Sequence, residues 1–231
     1  MRALPCPRSY RRVAFPRLRR VTDWATISAI ATAGGTLVLA AATFASVTSA
    51  NRAARVAERS LLAGMRPLLM PSRLQDAAQK VGFADGHWLT VEGGRAAAQA
   101  TPEAVYLAMS LRNVGTGMAV LHGWRFIPRA VIREELRPDV GDFTRLSRDL
   151  YLPVGEIGFW QGSFRDPRSD EFGEAAALIE ARGPFTVELL YGDFEGGQRT
   201  ITRFGVHPTE QGDGWLASAG RHTNVDRADP R

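Results

Sequence analysis

The sequence has almost no cysteine and almost no lysine. Cys6 is the only cysteine among the 231 residues, so the chain can form no intrachain disulfide and no cysteine-based zinc site. Lys80 is the only lysine, and arginine therefore supplies nearly all of the positive charge.

Groupings that would indicate an enzyme are also missing from the sequence. The four histidines show no i, i+4 pair and match no zinc pattern; they are His87, His122, His207 and His222. A G-x-S-x-G motif, which would place a serine nucleophile on a sharp turn, does not occur. We therefore expect no enzymatic activity, no cofactor and no metal site.

Charge is absent from one long segment, Trp24 to Ala50, with arginines on both sides of it. Its apolar part, Ile27 to Val47, would extend about 32 Å as a helix, which matches the hydrocarbon core of a bilayer. An uncharged span between arginines is typical of a single membrane-crossing helix. We predict a basic tail over residues 1–23 and a transmembrane helix over residues 24–50.

The same segment could instead be a signal peptide or a buried helix. Thr48-Ser49-Ala50 could be a signal-peptide cleavage site, and Arg11-Arg12 weakly resembles a twin-arginine signal. The apolar part is longer than the 7–15 residues that are usual in a signal peptide. A buried helix of a soluble protein is the second alternative, and the uninterrupted lack of charge disfavours it.

The distribution of arginines predicts the orientation in the membrane. Six arginines lie within about 17 residues before the span and four within a similar distance after it. This bias favours a cytoplasmic N-terminus and a C-terminal domain outside. Small residues recur every four positions, as at Ala41, Ala45 and Ser49, and such spacing allows a homodimer through the transmembrane helix.

Residues 51–66 continue the helical pattern as a stalk. Four arginines fall within about 60° of one another on a helical projection, and they are Arg52, Arg55, Arg59 and Arg66. They are candidates for contact with anionic lipid headgroups, although an ordinary basic flank of a membrane span would show the same pattern. Pro67 ends the helix.

The net charge of +5 divides unevenly between the two parts of the chain. Residues 1–66 carry a net charge of +9, whereas residues 67–231 carry −4. A nucleic-acid-binding domain is expected to present a basic face, so the mildly acidic globular part argues against that function.

Alternating apolar residues replace the helical pattern after Pro67. Eight short candidate strands are predicted, three of them weak, and they suggest an antiparallel sandwich. The candidate strands cover residues 68–71, 87–91, 105–112, 118–127, 146–152, 157–165, 185–191 and 200–206. The last two form a hairpin around Asp193-Phe194-Glu195-Gly196-Gly197. Residues 171–181 form one short crossover helix. We predict a mainly β, Ig-like sandwich over residues 67–208 and a flexible tail over residues 209–231.

Several motifs together resemble a known group. They are Leu111-Arg112-Asn113-Val114-Gly115-Thr116-Gly117-Met118-Ala119-Val120, Arg66-Pro67 after the stalk, and Tyr191-Gly192-Asp193 followed by Gly196-Gly197 and Arg199-Thr200. The stretch from about Trp24 to Val206 is similar to uncharacterised bacterial, mainly actinobacterial, single-pass membrane proteins with a small β-sandwich domain. The resemblance implies an anchor and a sandwich, and it supplies no activity or catalytic residue.

Three remaining features have a structural and a functional interpretation. Gly115-x-Gly117 could begin a phosphate-binding loop, but a strand follows it, so a tight turn is favoured. Asp193 and Glu195 could be paired carboxylates, but a hairpin tip rarely shields an acid. Among the tryptophans, Trp88, Trp124 and Trp160 are predicted core residues, and Trp215 in the tail could dock to a partner.

These observations favour a membrane-anchored, non-enzymatic accessory protein that contacts another protein through a sheet edge or loops. One alternative is a membrane-tethered small-ligand receptor or enzyme whose site combines scattered loop residues, such as His122, His207 and Asp193. A third possibility is a membrane-proximal structural element whose arginines recruit anionic lipid.

Overall fold

The structure is a computed structural model, and it describes residues 23–131, 138–210, 212 and 214–226. Most of the predicted basic tail, including Cys6, therefore lies outside the described residues. The chain divides into two units, residues 1–56 and 57–231, and each is described by itself.

Helix α1 (Trp24–Gly64) contains the predicted membrane span. Its apolar side chains are exposed: Ile30, Leu37 and Phe44 are 67%, 73% and 74% accessible, so no protein core in the described part of the chain covers them. Over Trp24–Leu61, α1 is long and apolar enough to cross a membrane.

The hydroxyl groups of α1 are satisfied within the helix. Those of Thr32, Thr36 and Thr43 each donate to the carbonyl oxygen four residues earlier at 2.8 Å, which removes the cost of placing them in an apolar environment. The helix ends at Gly64, two residues before the predicted end of the stalk, so Arg66 does not belong to it.

Eleven strands and a second helix follow. They are β1 (Leu69–Pro71), β2 (Gln79–Gly82), β3 (Trp88–Val91), β4 (Arg95–Ala100), β5 (Val105–Asn113), β6 (Ala119–Ile127), β7 (Thr144–Leu152), β8 (Ile157–Phe164), α2 (Asp170–Glu180), β9 (Phe185–Gly192), β10 (Thr200–Pro208) and β11 (Trp215–Asn224). A short 3-10 turn, Val140–Asp142, precedes β7.

In the described part of the chain, nine of the strands form one antiparallel sheet that curls around the main core. The order is β1-β5-β4-β11-β10-β9-β6-β7, and β8 pairs with β5. Because the same β5 residues pair with both β4 and β8, these two strands lie on opposite edges of β5. The prediction of a mainly β, antiparallel fold is confirmed. The Ig-like sandwich is not confirmed, because hydrogen bonding joins the nine strands into one continuous sheet.

The core lies inside the curl and is rich in aromatic residues. Trp160, Phe185, Tyr191, Phe204 and Trp215 are all at most 3% exposed and belong to one buried cluster. Each large aromatic side chain buries about 150–250 Å², so these residues contribute strongly to the apolar burial that stabilises the unit.

A β-bulge in β6 changes which residues face this core. The register with both neighbouring strands shifts between Leu121 and Gly123. Strict alternation along β6 would place His122 and Trp124 on the same face. The bulge instead puts Leu121 and Trp124 into the core cluster and leaves His122 half-buried.

The hairpin β2–β3 covers part of the outer face of the sheet. Val81, Leu89 and Val91 pack against Tyr106 and Ala108 of β5 in a second buried cluster. This hairpin corrects one prediction for the tryptophans. Trp88 is 64% exposed because it lies on the outward face of β3, where its ring covers Gly82.

Helix α2 connects β8 to β9 and closes one side of the core. Ser169 caps it by accepting a hydrogen bond from the Phe172 backbone N–H at 3.2 Å. Phe172, Ala175 and Ile179 form the buried stripe at helical spacing. The predicted helix, 171–181, differs from the observed one by a single residue at each end.

The predicted flexible tail is wrong over most of its described residues. Strand β11 pairs with β10 along most of its length and with β4 through Trp215 and Leu216. Trp215 is 3% exposed in the core, so it docks to its own domain rather than to a partner. The polar and glycine residues of β11 are compatible with a strand because pairing with β10 and β4 outweighs their weak β-propensity.

The outer face of β9 and β10 contains a buried ion cluster. Glu188 is fully buried and accepts hydrogen bonds from Arg125 at 3.0 Å and from Arg203 at 2.8 Å. Asp142 lies 3.3 Å from Arg125 at the exposed end of the cluster. Each oxygen of Glu188 meets the Nε and Nη2 of one arginine, which is the geometry a buried carboxylate needs to offset its desolvation.

Candidate functional site

The sheet is open between β7 and β8. These strands are consecutive and are joined by the turn at residues 153–156, yet β7 pairs with β6 and β8 pairs with β5. Among the described residues, neither has a strand partner on its other edge. We name the opening between them the seam. A cleft of about 370 Å³ lies there, and the β2 end at Gly82–Ala84 borders it.

The inner side of the seam is apolar. Trp124, Leu146 and Leu150 line the cleft, and all three also contact the main core. The Trp124 ring packs edge-on against Trp160, with 5.4 Å between ring centroids. Gly162 of β8 makes this packing possible, because a Cβ there would lie 2.7 Å from Trp160 and 3.0 Å from Trp124.

The outer side of the seam is basic. Arg145, Arg148 and Arg165 line the cleft, and no carboxylate is among the lining residues. The Arg148 guanidinium donates to Gln161 Oε1 across the seam at 3.0 Å and lies 5.9 Å from the Phe159 ring centroid. Arg145 is exposed and has no ion-pair or hydrogen-bond partner in the described part of the chain.

A polar network adjoins the cleft at Arg165. Arg165 pairs with Asp85 at 2.9 Å, and the Tyr106 hydroxyl donates to the same carboxylate. His87 stacks on the Tyr106 ring with 4.0 Å between centroids, and its Nε2 lies 3.1 Å from Gln99 Oε1. Asp85 is thus the shared acceptor of Arg165 and Tyr106.

The network shifts two pKa values. The hydrogen bond from Tyr106, then the His87 backbone N–H and Arg165, lower the pKa of Asp85 from 3.8 to about 2 against a smaller opposing effect of burial. The same bond to Asp85 raises the pKa of Tyr106, because ionised Tyr106 would lose the proton it donates. Both groups therefore keep one protonation state at neutral pH.

The predicted lipid-contact residues separate into two sets. Arg52, Arg55 and Arg59 lie on α1 and are exposed. Arg66 lies after the helix end, and its guanidinium donates to the Asn224 side chain of β11. The helical projection that grouped Arg66 with the others does not apply to it. The contact of the first three with lipid stays a prediction.

Gly115 and Gly117 dock the chain that leaves α1 onto the domain. The backbone N–H groups of Thr116 and Gly117 donate to the Arg66 carbonyl oxygen at 2.9 and 3.4 Å. A Cβ on Gly117 would lie 1.7 Å from the Met65 carbonyl oxygen, so no side chain fits there. The two glycines therefore serve a close backbone approach, and their loop leads into strand β6 rather than a helix.

Asn113 holds the same loop through four hydrogen bonds. Its Oδ1 accepts from the Leu68 and Gly115 N–H groups at 3.3 and 3.0 Å. Its Nδ2 donates to the Gly117 and Leu152 carbonyl oxygens at 2.7 and 3.0 Å. The fully buried amide is thereby satisfied and links the turn after β5 to the start of β1 and the end of β7.

The histidines and carboxylates that could have formed a catalytic site do not line the seam. Burial, followed by the charge of Arg199, lowers the pKa of His122, while Asp149 and Asp193 act in the opposite direction. Asp193 accepts from the Gly197 N–H at 2.8 Å in the predicted hairpin turn. Among the described residues, no group of three or more histidine, cysteine, aspartate or glutamate side chains could hold a metal ion.

Sequence reasoning missed the three arginines of the cleft. Arg148 belongs to the predicted strand 146–152, whose alternation is irregular, Arg145 lies just before that strand, and Arg165 ends the predicted strand 157–165. The available signal was two arginines within the leucine-containing stretch Thr144–Leu150 and a third just after β8. The sequence alone could not show that β7 and β8 are the edge strands at opposite margins of the sheet.

No family model and no curated protein matches this sequence. Among solved structures, the chain was matched to a crystal structure of a Bordetella pertussis protein assigned the name ApaA. The two share 12% sequence identity, and the match covers 72% of this chain and 98% of the other, with a TM-score of 0.20. A TM-score this low does not indicate a shared fold.

Proposed function

We propose that this protein is a membrane-tethered, non-enzymatic binding module that contacts another protein through the seam between β7 and β8. The observation that carries the proposal is the seam itself. Two strand edges without partners, an apolar inner side and an arginine-lined outer side occur together there, among the residues that the structure describes. Free strand edges are used widely for protein recognition.

The tether in this proposal is α1. It would cross the cell membrane once, with the N-terminus in the cytoplasm and the globular unit outside, as the arginine distribution favours. Arg52, Arg55 and Arg59 would contact anionic headgroups, and each contact would contribute about 1 kcal/mol to membrane binding. Small residues at four-residue spacing would allow a homodimer through α1.

We also propose that the globular unit is an Ig-like sandwich. A sheet that curls around one core packs its two halves face to face, which supports an Ig-like sandwich as a geometric description. The motifs of the membrane-protein group noted above support kinship with it. One of these motifs, the Gly115 and Gly117 loop, docks the residues just after α1.

A small-ligand receptor is the second candidate, and the cleft volume supports it. About 370 Å³ lies within the range of small-molecule pockets, roughly 300–1,000 Å³, which combine apolar walls with a few polar groups. Trp124 would be the apolar wall and Arg145 the anion-binding group.

Photocrosslinking in intact membranes tests the protein-binding proposal. A photoreactive residue replaces Gln161 in the full chain, and the control replaces exposed Arg168 on the loop before α2. We expect a discrete protein adduct from position 161 that is reduced at least fivefold by Arg145→Gln with Arg148→Gln. No adduct at 161, or equal adducts at both positions, would contradict the proposal. An adduct of small-molecule mass would support the receptor instead.

A further inference from the structure

We propose that the seam binds an extended acidic segment of the partner, in which apolar and acidic residues alternate, as an added strand on the edge of β8. The inference rests on the proposed function, because it names the chemistry of the partner at the same site.

The backbone of β8 supplies the first argument. Along an antiparallel strand, alternate residues direct their N–H and C=O groups toward each neighbouring strand. Residues Ile157–Phe164 pair with β5 on one side only. About half of the backbone groups of this eight-residue strand therefore point into the seam without a strand partner among the described residues. An added strand would satisfy them at a spacing of about 4.8 Å.

The side chains that border the seam supply the second argument. On β8, Trp160 and Phe164 face the core, whereas Phe159 packs with the outer cluster. Gln161 shares the outer face with Phe159, and the bond to Gln161 places the Arg148 guanidinium on that face too. The inner side of the seam is thus apolar and the outer side is basic.

This arrangement selects a sequence pattern. Successive side chains of a strand point to opposite faces. A strand in the seam would direct every second residue toward Trp124, Leu146 and Leu150, where apolar side chains fit. The residues between would meet Arg145, Arg148 and Arg165, where glutamate or aspartate fits.

Charge complementarity favours an acidic partner over a nucleic acid. The part of the chain from residue 67 onward has a net charge of −4, so the arginines of the seam are a local reversal of sign. Nucleic acid would need a wider basic face. Arg145 has no partner in the described structure, and Arg148 is bound only by a neutral amide and an aromatic face, so both can bind a carboxylate without losing an ion pair.

Peptide binding to the full chain in nanodiscs tests the inference. The probe is a fluorescently labelled peptide of eight residues with alternating valine and glutamate, and fluorescence anisotropy gives the affinity. One comparison peptide has the same composition with four valines followed by four glutamates. Two further peptides carry N-methyl groups at every second residue, one at the odd-numbered and one at the even-numbered positions. Because N-methylation removes backbone donors, each of these peptides lacks the donors along one edge of the strand.

We expect saturable binding of the alternating peptide, at least tenfold weaker binding of the block peptide, and a similar loss for at least one N-methylated peptide. Arg145→Gln with Arg148→Gln should weaken binding at least tenfold. The matched double variant Arg73→Gln with Arg168→Gln removes the same charge from exposed sites that do not line the cleft and should leave binding unchanged.

Two results would overturn the inference, and they bear differently on the proposed function. Equal binding of the alternating, block and N-methylated peptides would show charge attraction without strand pairing. No peptide binding, together with a seam-dependent protein adduct from position 161, would overturn the acidic strand and leave the protein-binding proposal standing. No peptide binding and no adduct would overturn both the acidic strand and the protein-binding proposal.

Discussion

Single residues in the loop after β5 fix how the chain that follows α1 joins the domain. Gly117 approaches the Met65 carbonyl oxygen so closely that a Cβ would lie 1.7 Å from it. Asn113 satisfies four backbone groups around the same loop. Contacts within the globular unit thus account for the sequence pattern Asn-Val-Gly-Thr-Gly.

Substitution of Gly117 tests the close approach. Gly117→Ala should lower the free energy of unfolding of the globular unit by about 1–3 kcal/mol, because the backbone of Met65 must move to admit the methyl group. Chemical denaturation of the full chain in detergent measures the change. Gly197→Ala is the matched control, since a Cβ there meets nothing within 4 Å. Equal stability of the two variants would refute the close approach.

The Asp85 network predicts a dependence of stability on acid. The pKa of Asp85 is lowered to about 2, so its ionised form stabilises the folded chain fully above about pH 4, and this contribution is lost as the pH falls toward 2. Tyr106→Phe removes the largest cause of the shift. The thermal midpoint of this variant should therefore fall less than that of the natural chain between pH 5 and pH 2.5.

Tyr151→Phe is the control for that measurement. The Tyr151 hydroxyl lies 3.4 Å from Asp149 at an exposed site outside the network. The thermal midpoint of this variant should fall as much between pH 5 and pH 2.5 as that of the natural chain. If the thermal midpoint of Tyr106→Phe falls as much as that of the natural chain, the Tyr106 hydroxyl does not stabilise ionised Asp85.

Among the elements, β11 joins β4 to β10 in the sheet. It lies between β10 and β4 and carries Trp215 into the core. Deletion of residues 210–231 should unfold the globular unit, because two strand edges and the Trp215 site would be exposed together. Deletion of residues 227–231 keeps β11 and should be tolerated. Limited proteolysis and near-UV circular dichroism distinguish the outcomes. A folded 1–209 chain would restore the flexible-tail prediction.

The exposed arginines of α1 predict lipid selectivity. Arg52→Gln, Arg55→Gln and Arg59→Gln together should lower the ratio of anionic to zwitterionic lipid that co-purifies with the chain, at least twofold, because each arginine contributes about 1 kcal/mol near an anionic surface. Lipid mass spectrometry measures the ratio. The control triple Arg73→Gln, Lys80→Gln and Arg168→Gln removes equal charge from the globular unit. An unchanged ratio in the first triple would contradict the prediction.

At the scale of the whole molecule, local patterns predicted the elements better than their arrangement. The lack of charge over residues 24–50 and the turn residues around Asp193 are local signals, and the long apolar helix and the β9–β10 hairpin follow from them. Strand β4 was missed because Arg95–Ala100 is rich in alanine, and its pairing with β5 and β11 outweighs this weak propensity.

The candidate site could not be predicted from the sequence because it depends on long-range topology. Arg145 and Arg165 are twenty residues apart and meet at one cleft only because β7 and β8 pair at opposite margins of the sheet. The bulge at His122 and Gly123 likewise depends on pairing with two neighbouring strands, so strict alternation would assign His122 to the wrong face.

A tethered binding module requires α1 to remain in the bilayer as part of the mature chain. Carbonate extraction of membranes, followed by intact-mass measurement of the full-length protein, tests this requirement directly. We expect the chain to stay in the washed membrane pellet at the mass of the uncleaved sequence. Release into the supernatant, or a mass that corresponds to a chain beginning near Asn51, would show that α1 is not a tether.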